Sequence, residues 1–211
     1  MKNEKRDFNT EAANWDENPG RIKMASDIAR SISEAITMTS NMNVMDFGCG
    51  TGLLTLQLQP LVGSIIGVDS SPGMLQVLSK KIESQNLANV STHHLDVEQG
   101  QNLKGFYDLV VSSMTLHHIQ EIQPLIRQFY DVLLPNGYLC IADLDSDDGK
   151  FHESNEGVFH FGFDRDMMCR FFEEAGFEGI EVGTAAEILK PVAGEGGRLF
   201  TVFLIRGRKM P

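Results

Sequence analysis

Apolar positions along the chain switch repeatedly between two periods. From Arg21 to Thr37, after an Asn18-Pro19-Gly20 breaker, Ile22, Ala25, Ile28, Ala29, Ile32 and Ile36 recur at helical spacing and predict an amphipathic helix. Short apolar runs follow at Val44 to Phe47, "SIIGVD" (Ser64 to Asp69) and "GYLCIADL" from Gly137, with "VSTHHLD" from Val90 and "YDLVVSS" from Tyr107 as further strand candidates. Runs this short and this apolar read as buried strands. Helical stretches separate them. One spans Gly52 to Gln59 and stops at Pro60. A second, "SSPGMLQVLSKKIESQN", opens with serines and proline, as a capped helix does, and "EIQPLIRQFYDVLL" closes at Pro135-Asn136-Gly137. "DRDMMCRFFEEAGF" then predicts a helix capped by Asp164 and ended by Gly176, before the strands "FEGIEVGTA" and "LFTVFLIRG", joined by a glycine-rich loop.

Five strands alternating with helices predict an α/β fold, a doubly wound parallel sheet covered on both faces. The closing pair predicts a hairpin that adds one antiparallel strand. In such sheets ligands bind beyond the carboxyl ends of the strands. The chemistry is therefore expected in the loops after Phe47, Asp69, His94, Ser112 and Asp143.

Composition narrows the setting. A length of 211 residues suits one domain with its own core. No apolar run is long enough to span a membrane, and the polar N-terminal stretch has no signal-peptide core. Cys49, Cys140 and Cys169 are odd in number and lack CxxC spacing, which argues for a reducing, cytoplasmic setting and against a disulfide framework or a zinc site. With 18 Lys and Arg against 29 Asp and Glu, a net charge of -11 disfavours a broad nucleic-acid face. The one visible basic cluster, Arg206 to Lys209, flanks a strand.

The chemistry starts at "VMDFGCGTG". Gly48, Gly50 and Gly52 form G-x-G-x-G, and Leu53 stands where a dinucleotide fingerprint requires glycine. Asp46 puts a carboxylate beside the turn, which a cationic ligand tolerates and a pyrophosphate does not. Asp69 ends the next strand, 17 residues after Gly52, where a carboxylate can accept both hydroxyls of a ribose. It can equally cap the following helix, a task open to Ser70 and Ser71 as well. Asp96 ends the third strand and, with the N–H of Val97, can read an adenine edge; a plain loop acid is the alternative.

Taken in order, "VMDFGCGTG", "GVDSSPGML", "HLDVE", "DLVVSSMTLHHI" and "LLPNGYLCIADLD" resemble a class I S-adenosylmethionine-dependent methyltransferase. The likeness is densest from Asn43 to Asp145, and the closing helix and strand pair extend it over most of the chain. It implies a Rossmann-like seven-stranded sheet in the order 3-2-1-4-5-7-6, with strand 7 antiparallel. With the length and the element pattern, the chain is expected to be a single domain, with residues 1–42 as a helical cap, 43–145 as the cofactor core and 146–211 as an acceptor-side loop, helix and strand hairpin. By the same resemblance, Gly48, Cys49, Gly50, Thr51 and Gly52 pack on the methionine portion of S-adenosylmethionine, with Asp46 near its amino group. Asp69 holds the ribose, Ser70 and Met74 lie against ribose and adenine, Asp96 and Val97 read the adenine edge, and Ser112 lies beside the methionine portion.

Methyl transfer from a sulfonium mainly requires alignment and exclusion of water, with a base only for a protonated acceptor. The Asn/Asp-Pro-Pro-Tyr/Phe signature of amide and adenine methylation is absent, and "SSMTLHH" stands in its place. A small-molecule acceptor is expected. His117 and His118 are candidates for a base or acceptor-orienting group, or simply anchor their loop. Asp143 and His160 are further candidates to face substrate. Trp15 either pins the N-terminal segment or closes over the sulfonium, and Arg21 either pairs with the cofactor carboxylate or is solvated. Asp143, Asp145 and Asp147 imitate a calcium loop, but Asp148 and Ser154 occupy its glycine and glutamate positions. His152 and His160 have no ligand spacing, so no metal is expected. Two other readings stand beside methyl transfer: a protein that binds the cofactor or its demethylated product without transfer, and, more remotely, a nicotinamide oxidoreductase.

Overall fold

The computed structural model describes residues 6–192 and 196–211. A short helix α1 (Phe8–Glu11) and a 3-10 segment (Ala12–Glu17) lead into α2 (Pro19–Ala35). The central layer is then built by β1 (Asn43–Phe47), α3 (Thr55–Leu58), β2 (Ser64–Asp69), α4 (Pro72–Gln85), β3 (Val90–His94), β4 (Tyr107–Ser113), α5 (Ile122–Val132) and β5 (Leu133–Leu144). It is completed by α6 (Arg165–Ala175), β6 (Phe177–Val192) and β7 (Gly196–Lys209). The seven strands run in the order β3-β2-β1-β4-β5-β7-β6, with β7 antiparallel to both neighbours. This is the expected doubly wound sheet.

The central strands β1, β4 and β5 are buried at most positions because both faces are covered there, whereas the edge strands β3 and β6 are largely exposed. Val44, Leu109, Val111, Cys140 and Ala142 pack with Ile28, Ile32 and Leu58 on one side. Met45, Val110, Leu139 and Ile141 pack with Ile126, Phe129 and Phe172 on the other. Caps follow the sequence signals: Ser71 accepts the N–H of Met74 at the start of α4, Asp164 accepts that of Met167, and Gly176 ends α6 at φ 98°.

Four sequence expectations shift. Ile22, read as part of the buried stripe of α2, is 43% exposed. The helix expected over Gly52 to Gln59 shrinks to Thr55–Leu58 plus a 3-10 turn at Gln59–Leu61, because Gly52 is held at φ 85°, outside helical space. The Pro135-Asn136-Gly137 stop persists as a bulge inside β5, where the partner of Tyr107 is Leu133 and that of Leu109 is Tyr138. The last two strands run well beyond "FEGIEVGTA" and "LFTVFLIRG": Leu189 pairs with Leu199 and Pro191 with Gly197. That outer arm is solvated, with Leu189 73% exposed, and Pro191 is tolerated because β6 is an edge strand. The tip of the expected glycine-rich loop, residues 193–195, lies outside the described residues.

The segment before β1 is tied to the sheet's carboxyl end by side chains. Asn9 Oδ1 accepts from Ser71 Oγ and from the N–H of Gly73. Asp16 accepts from Thr51 Oγ1 at 2.6 Å and pairs with Lys81.

Candidate active site

A cavity of about 1160 Å³ lies over the carboxyl ends of β1, β2, β3 and β4. The N-terminal segment, residues 151–157 and the extended hairpin at Ile188, Leu189 and Lys190 enclose it from above. One half is built from the strand-end loops. Gly48, Gly50 and Gly52 all adopt positive φ, at 72°, 53° and 85°, a region that favours glycine. Their roles differ. A Cβ on Gly48 would meet Thr115 Oγ1 at 2.1 Å and one on Gly52 would meet Leu78 Cδ1 at 2.4 Å, whereas one on Gly50 would find only Met74 Sδ at 4.0 Å. Gly48 and Gly52 thus permit close packing, and Gly50 leaves backbone open to a ligand.

Asp69 pins this turn. Its Oδ2 accepts the N–H of Gly50 and its Oδ1 that of Ser71, both at 2.8 Å. The helix cap comes from Ser71 instead. Asp46 is 1% exposed and accepts a hydrogen bond from Thr55 Oγ1. Burial pushes its carboxyl up to about 7, against the Thr55 hydrogen bond and helped by the nearby Asp69 charge. Burial, with Asp69 and Asp46, also keeps the Cys49 thiol protonated. Asp96 receives hydrogen bonds from the Glu98 N–H and Gln99 Nε2, and lines the cavity with Val97. Ser70 and Met74 line it too.

Three expected cofactor contacts stand behind the wall. Ser112 is fully buried and donates to the Phe47 carbonyl; Ser113, one residue on, lines the cavity. Thr51 faces Asp16 and Gly52 faces Leu78. Alternation along a strand makes this a one-residue matter, so strand-end counting alone cannot separate wall from backing. Trp15 and Arg21 do line the cavity, with the Arg21 guanidinium 3.7 Å from the centre of the Trp15 ring. One face of the tryptophan therefore already carries a cation.

The other half of the cavity is histidine-rich. His117 and His118 form a 3-10 turn after β4 and both line it. Asp143, expected to face substrate, lies behind His117 with no exposure. It accepts from His117 Nδ1 at 2.6 Å and from the N–H groups of Leu116 and Leu144. Burial alone would raise this carboxyl, but the His117 imidazole and the Leu144 N–H, with His118, outweigh it and hold it below the usual carboxylate range. Asparagine at position 143 would turn an amide N–H toward one of these donors. We expect Asp143→Asn to cost about 3 kcal/mol, lowering Tm by roughly 6–12 °C for a chain of this size, measured by thermal denaturation.

His118 Nδ1 donates to the Gly157 carbonyl at 2.7 Å. His152 joins the pair from the loop after β5, its ring centre 4.9 Å from that of His117. Burial, then the neighbouring His117, lowers His118 to about 4 and His152 to about 3, so both are neutral imidazoles at pH 7. His160 faces away, against the Ile119 carbonyl and Phe163. The acids of the apparent calcium motif diverge: Asp145 pairs with Arg165, and Asp147 accepts the N–H groups of Gly149 and Phe151. His152 was not legible as a site residue, because 34 residues separate it from His118 and only the fold of the loop brings them together. The contributions of Ile188 and Lys190 were hidden by the unexpected length of the hairpin.

Residues 38–176 match the methyltransferase domain family. An uncharacterized methyltransferase of Schizosaccharomyces pombe is 32% identical over 158 residues, 68% of this chain and 56% of that protein. The malonyl-(acyl-carrier protein) O-methyltransferase of Bacillus cereus is 28% identical over 138 residues, 64% and 50% of the two chains. The chain thus spans about half the length of these curated relatives. The crystal structure of YcgJ from Bacillus subtilis superposes with a TM-score of 0.71 at 15% identity, covering 87% of this chain and 98% of that one. Phosphoethanolamine N-methyltransferase 2 of Haemonchus contortus, solved with S-adenosyl-L-methionine, gives 0.70 at 16% identity over 87% and 52%. These likenesses extend the fold beyond the matched segment and set the oxidoreductase alternative aside. With the strand order, the glycine turn and the acids at successive strand ends, they lead to one conclusion: the chain belongs to the class I S-adenosylmethionine-dependent methyltransferases.

Proposed function

We propose that this chain transfers the methyl group of S-adenosylmethionine to a small molecule held in the same cavity. The observation that carries this reading is the division of one cavity into two chemically distinct halves. At about 1160 Å³ it exceeds the roughly 300–1,000 Å³ that encloses one drug-sized ligand, leaving room for a second. The fit to the cofactor is specific. A buried carboxyl held up to about 7 calls for a cationic partner, and the ammonium of the methionine portion is one. Asp69 presents two oxygens at a strand end to the ribose, while Asp96, Val97, Met74 and Ser70 surround the base. Arg21 and Trp15 close the methionine end.

The cofactor supplies an activated methyl group, so the protein's work is alignment and exclusion of water. The Gly48–Gly50 backbone and the acids fix one partner. His117, held by Asp143, and His118, held by Gly157, border the other. Asp143 is a positioning residue, since it reaches the cavity only through His117. Enclosure by the N-terminal segment and the hairpin suits a small acceptor better than nucleic acid. The three free cysteines fit a reducing, cytoplasmic setting, and no helix among the described residues is long and apolar enough to cross a membrane.

Calorimetry with S-adenosylhomocysteine and NADH, followed by labelled methyl transfer into a size-fractionated metabolite extract, tests this. We expect micromolar binding of the adenosyl compound, none of NADH, and label in the low-molecular-weight fraction. Failure to bind the adenosyl compound overturns the cofactor reading. Label confined to macromolecules overturns the small acceptor, and binding without transfer to any fraction favours a sensor.

A further inference from the structure

The histidine half of the cavity has the make-up of a metal site. One ring nitrogen each from His117, His118 and His152 lies within 4.8 Å of the other two. Two of the three rings have an orienting partner on Nδ1: the Asp143 carboxylate for His117 and the Gly157 carbonyl for His118. Both partners accept, so each Nδ1 is engaged as a donor and Nε2 is the ring atom left to a ligand. Carboxylate and carbonyl acceptors of this kind stand behind metal-bound histidines, fixing the tautomer and raising ligand basicity. The third ring supplies an independent observation: His152 Nε2 is buried and lacks a hydrogen-bond partner among the described residues. Buried polar atoms are ordinarily satisfied, and this one belongs to a residue of the cluster.

We propose that His117, His118 and His152 bind one divalent transition-metal ion, of the zinc, cobalt or iron(II) type, at the acceptor end of the cavity. Three imidazole nitrogens favour these borderline ions over magnesium or calcium, which prefer oxygen. Metal–nitrogen bonds of about 2.1 Å require the rings to draw together by roughly an ångström from their present spacing. His152 sits on the loop after β5, between Gly149 and Gly157, both at positive φ, so the adjustment falls on a loop while His117 stays fixed by Asp143. The surrounding charge permits a dication. Arg6 is paired in bidentate fashion with Glu11, and Lys190 donates to the Phe151 carbonyl within reach of the Glu153 charge.

Three protein ligands leave a position open toward the cavity, the arrangement of catalytic rather than structural sites. Its occupant is the acceptor, of the class whose nucleophilic atom is an ionisable oxygen or sulfur. On binding, the O–H or S–H bond breaks, the proton passes to solvent and the electron pair stays on the heteroatom. Placing the acceptor here rests on the methyl-transfer reading; the metal site does not.

Chelator-treated full-length protein titrated with cobalt(II), followed by its ligand-field absorption and by calorimetry, tests the site. We expect one equivalent bound, with affinity reduced about 100-fold in both His152→Gln and His118→Gln and unchanged in His93→Ala, an exposed histidine on β3. Circular dichroism and S-adenosylhomocysteine titration of each variant report that the fold and the cofactor half survive. Absence of a stoichiometric cobalt spectrum in the wild type, or a spectrum unaltered in both glutamine variants, overturns the proposal. Cobalt failure with S-adenosylhomocysteine binding intact removes only the metal site, and the converse removes only the methyl-transfer reading.

Discussion

Replacing Asp69 with alanine is expected to weaken S-adenosylhomocysteine binding by about 100-fold or more. Each carboxylate oxygen accepts one backbone N–H, from Gly50 or Ser71, and a carboxylate oxygen can accept more than one hydrogen bond, a ribose hydroxyl included. Losing two hydrogen bonds to a charged group removes roughly 3–6 kcal/mol, and 1.4 kcal/mol is a factor of ten. The variant also releases the Gly50 amide from its anchor, loosening the turn that approaches the cofactor. Asparagine gives little rescue, because its NH₂ must face one of the two backbone donors. Calorimetric titration measures the loss, and an unchanged dissociation constant would show that the ribose lies elsewhere.

The second large effect is a proton coupled to cofactor binding. In the free protein the Asp46 carboxyl is raised to about 7 by burial, so near pH 6 it is mostly protonated. A cofactor ammonium brought beside it favours the carboxylate, and the proton leaves. Calorimetry in buffers of different ionisation enthalpy should therefore find about one proton released near pH 6 and almost none above about pH 8. Asp46→Asn should abolish the release. The sign for stability follows from the same shift. A folded-state value above the unfolded one, about 3.9, contributes stability that is fully present below pH 4 and is lost as pH rises through about 7. The cofactor-free protein should thus lose Tm between about pH 4 and pH 7, and the asparagine variant should lose less, at roughly 2–4 °C per kcal/mol. Absence of proton release at pH 6 would remove Asp46 from the ammonium site.

Legibility tracked the range of the interactions involved. Asp164, Ser71 and Gly176 were readable because caps act within a few residues. The sheet was readable because burial on both faces leaves unbroken apolar runs. Gly48, Gly50, Asp69 and Asp96 were readable as a group because a parallel sheet delivers successive strand ends to one edge. Ser112 was misplaced behind the wall because alternation turns adjacent residues in opposite directions, and nothing local says which of Ser112 and Ser113 faces the ligand. Asp143 was placed near the chemistry but given the wrong contact: its partner, His117, is set by the pairing of β4 with β5.

By itself the sequence determined the alternation of strands and helices, a glycine turn that departs from the dinucleotide fingerprint and a row of acids at successive strand ends. All of these follow from local propensity, periodicity and a topology that repeats along the chain. Tertiary structure alone decided what encloses the cavity and what stands at its far end. The hairpin extends because its two strands satisfy each other's backbone across a solvated arm. His152 meets His117 and His118 because loop closure is a three-dimensional event that leaves no periodic trace in the chain.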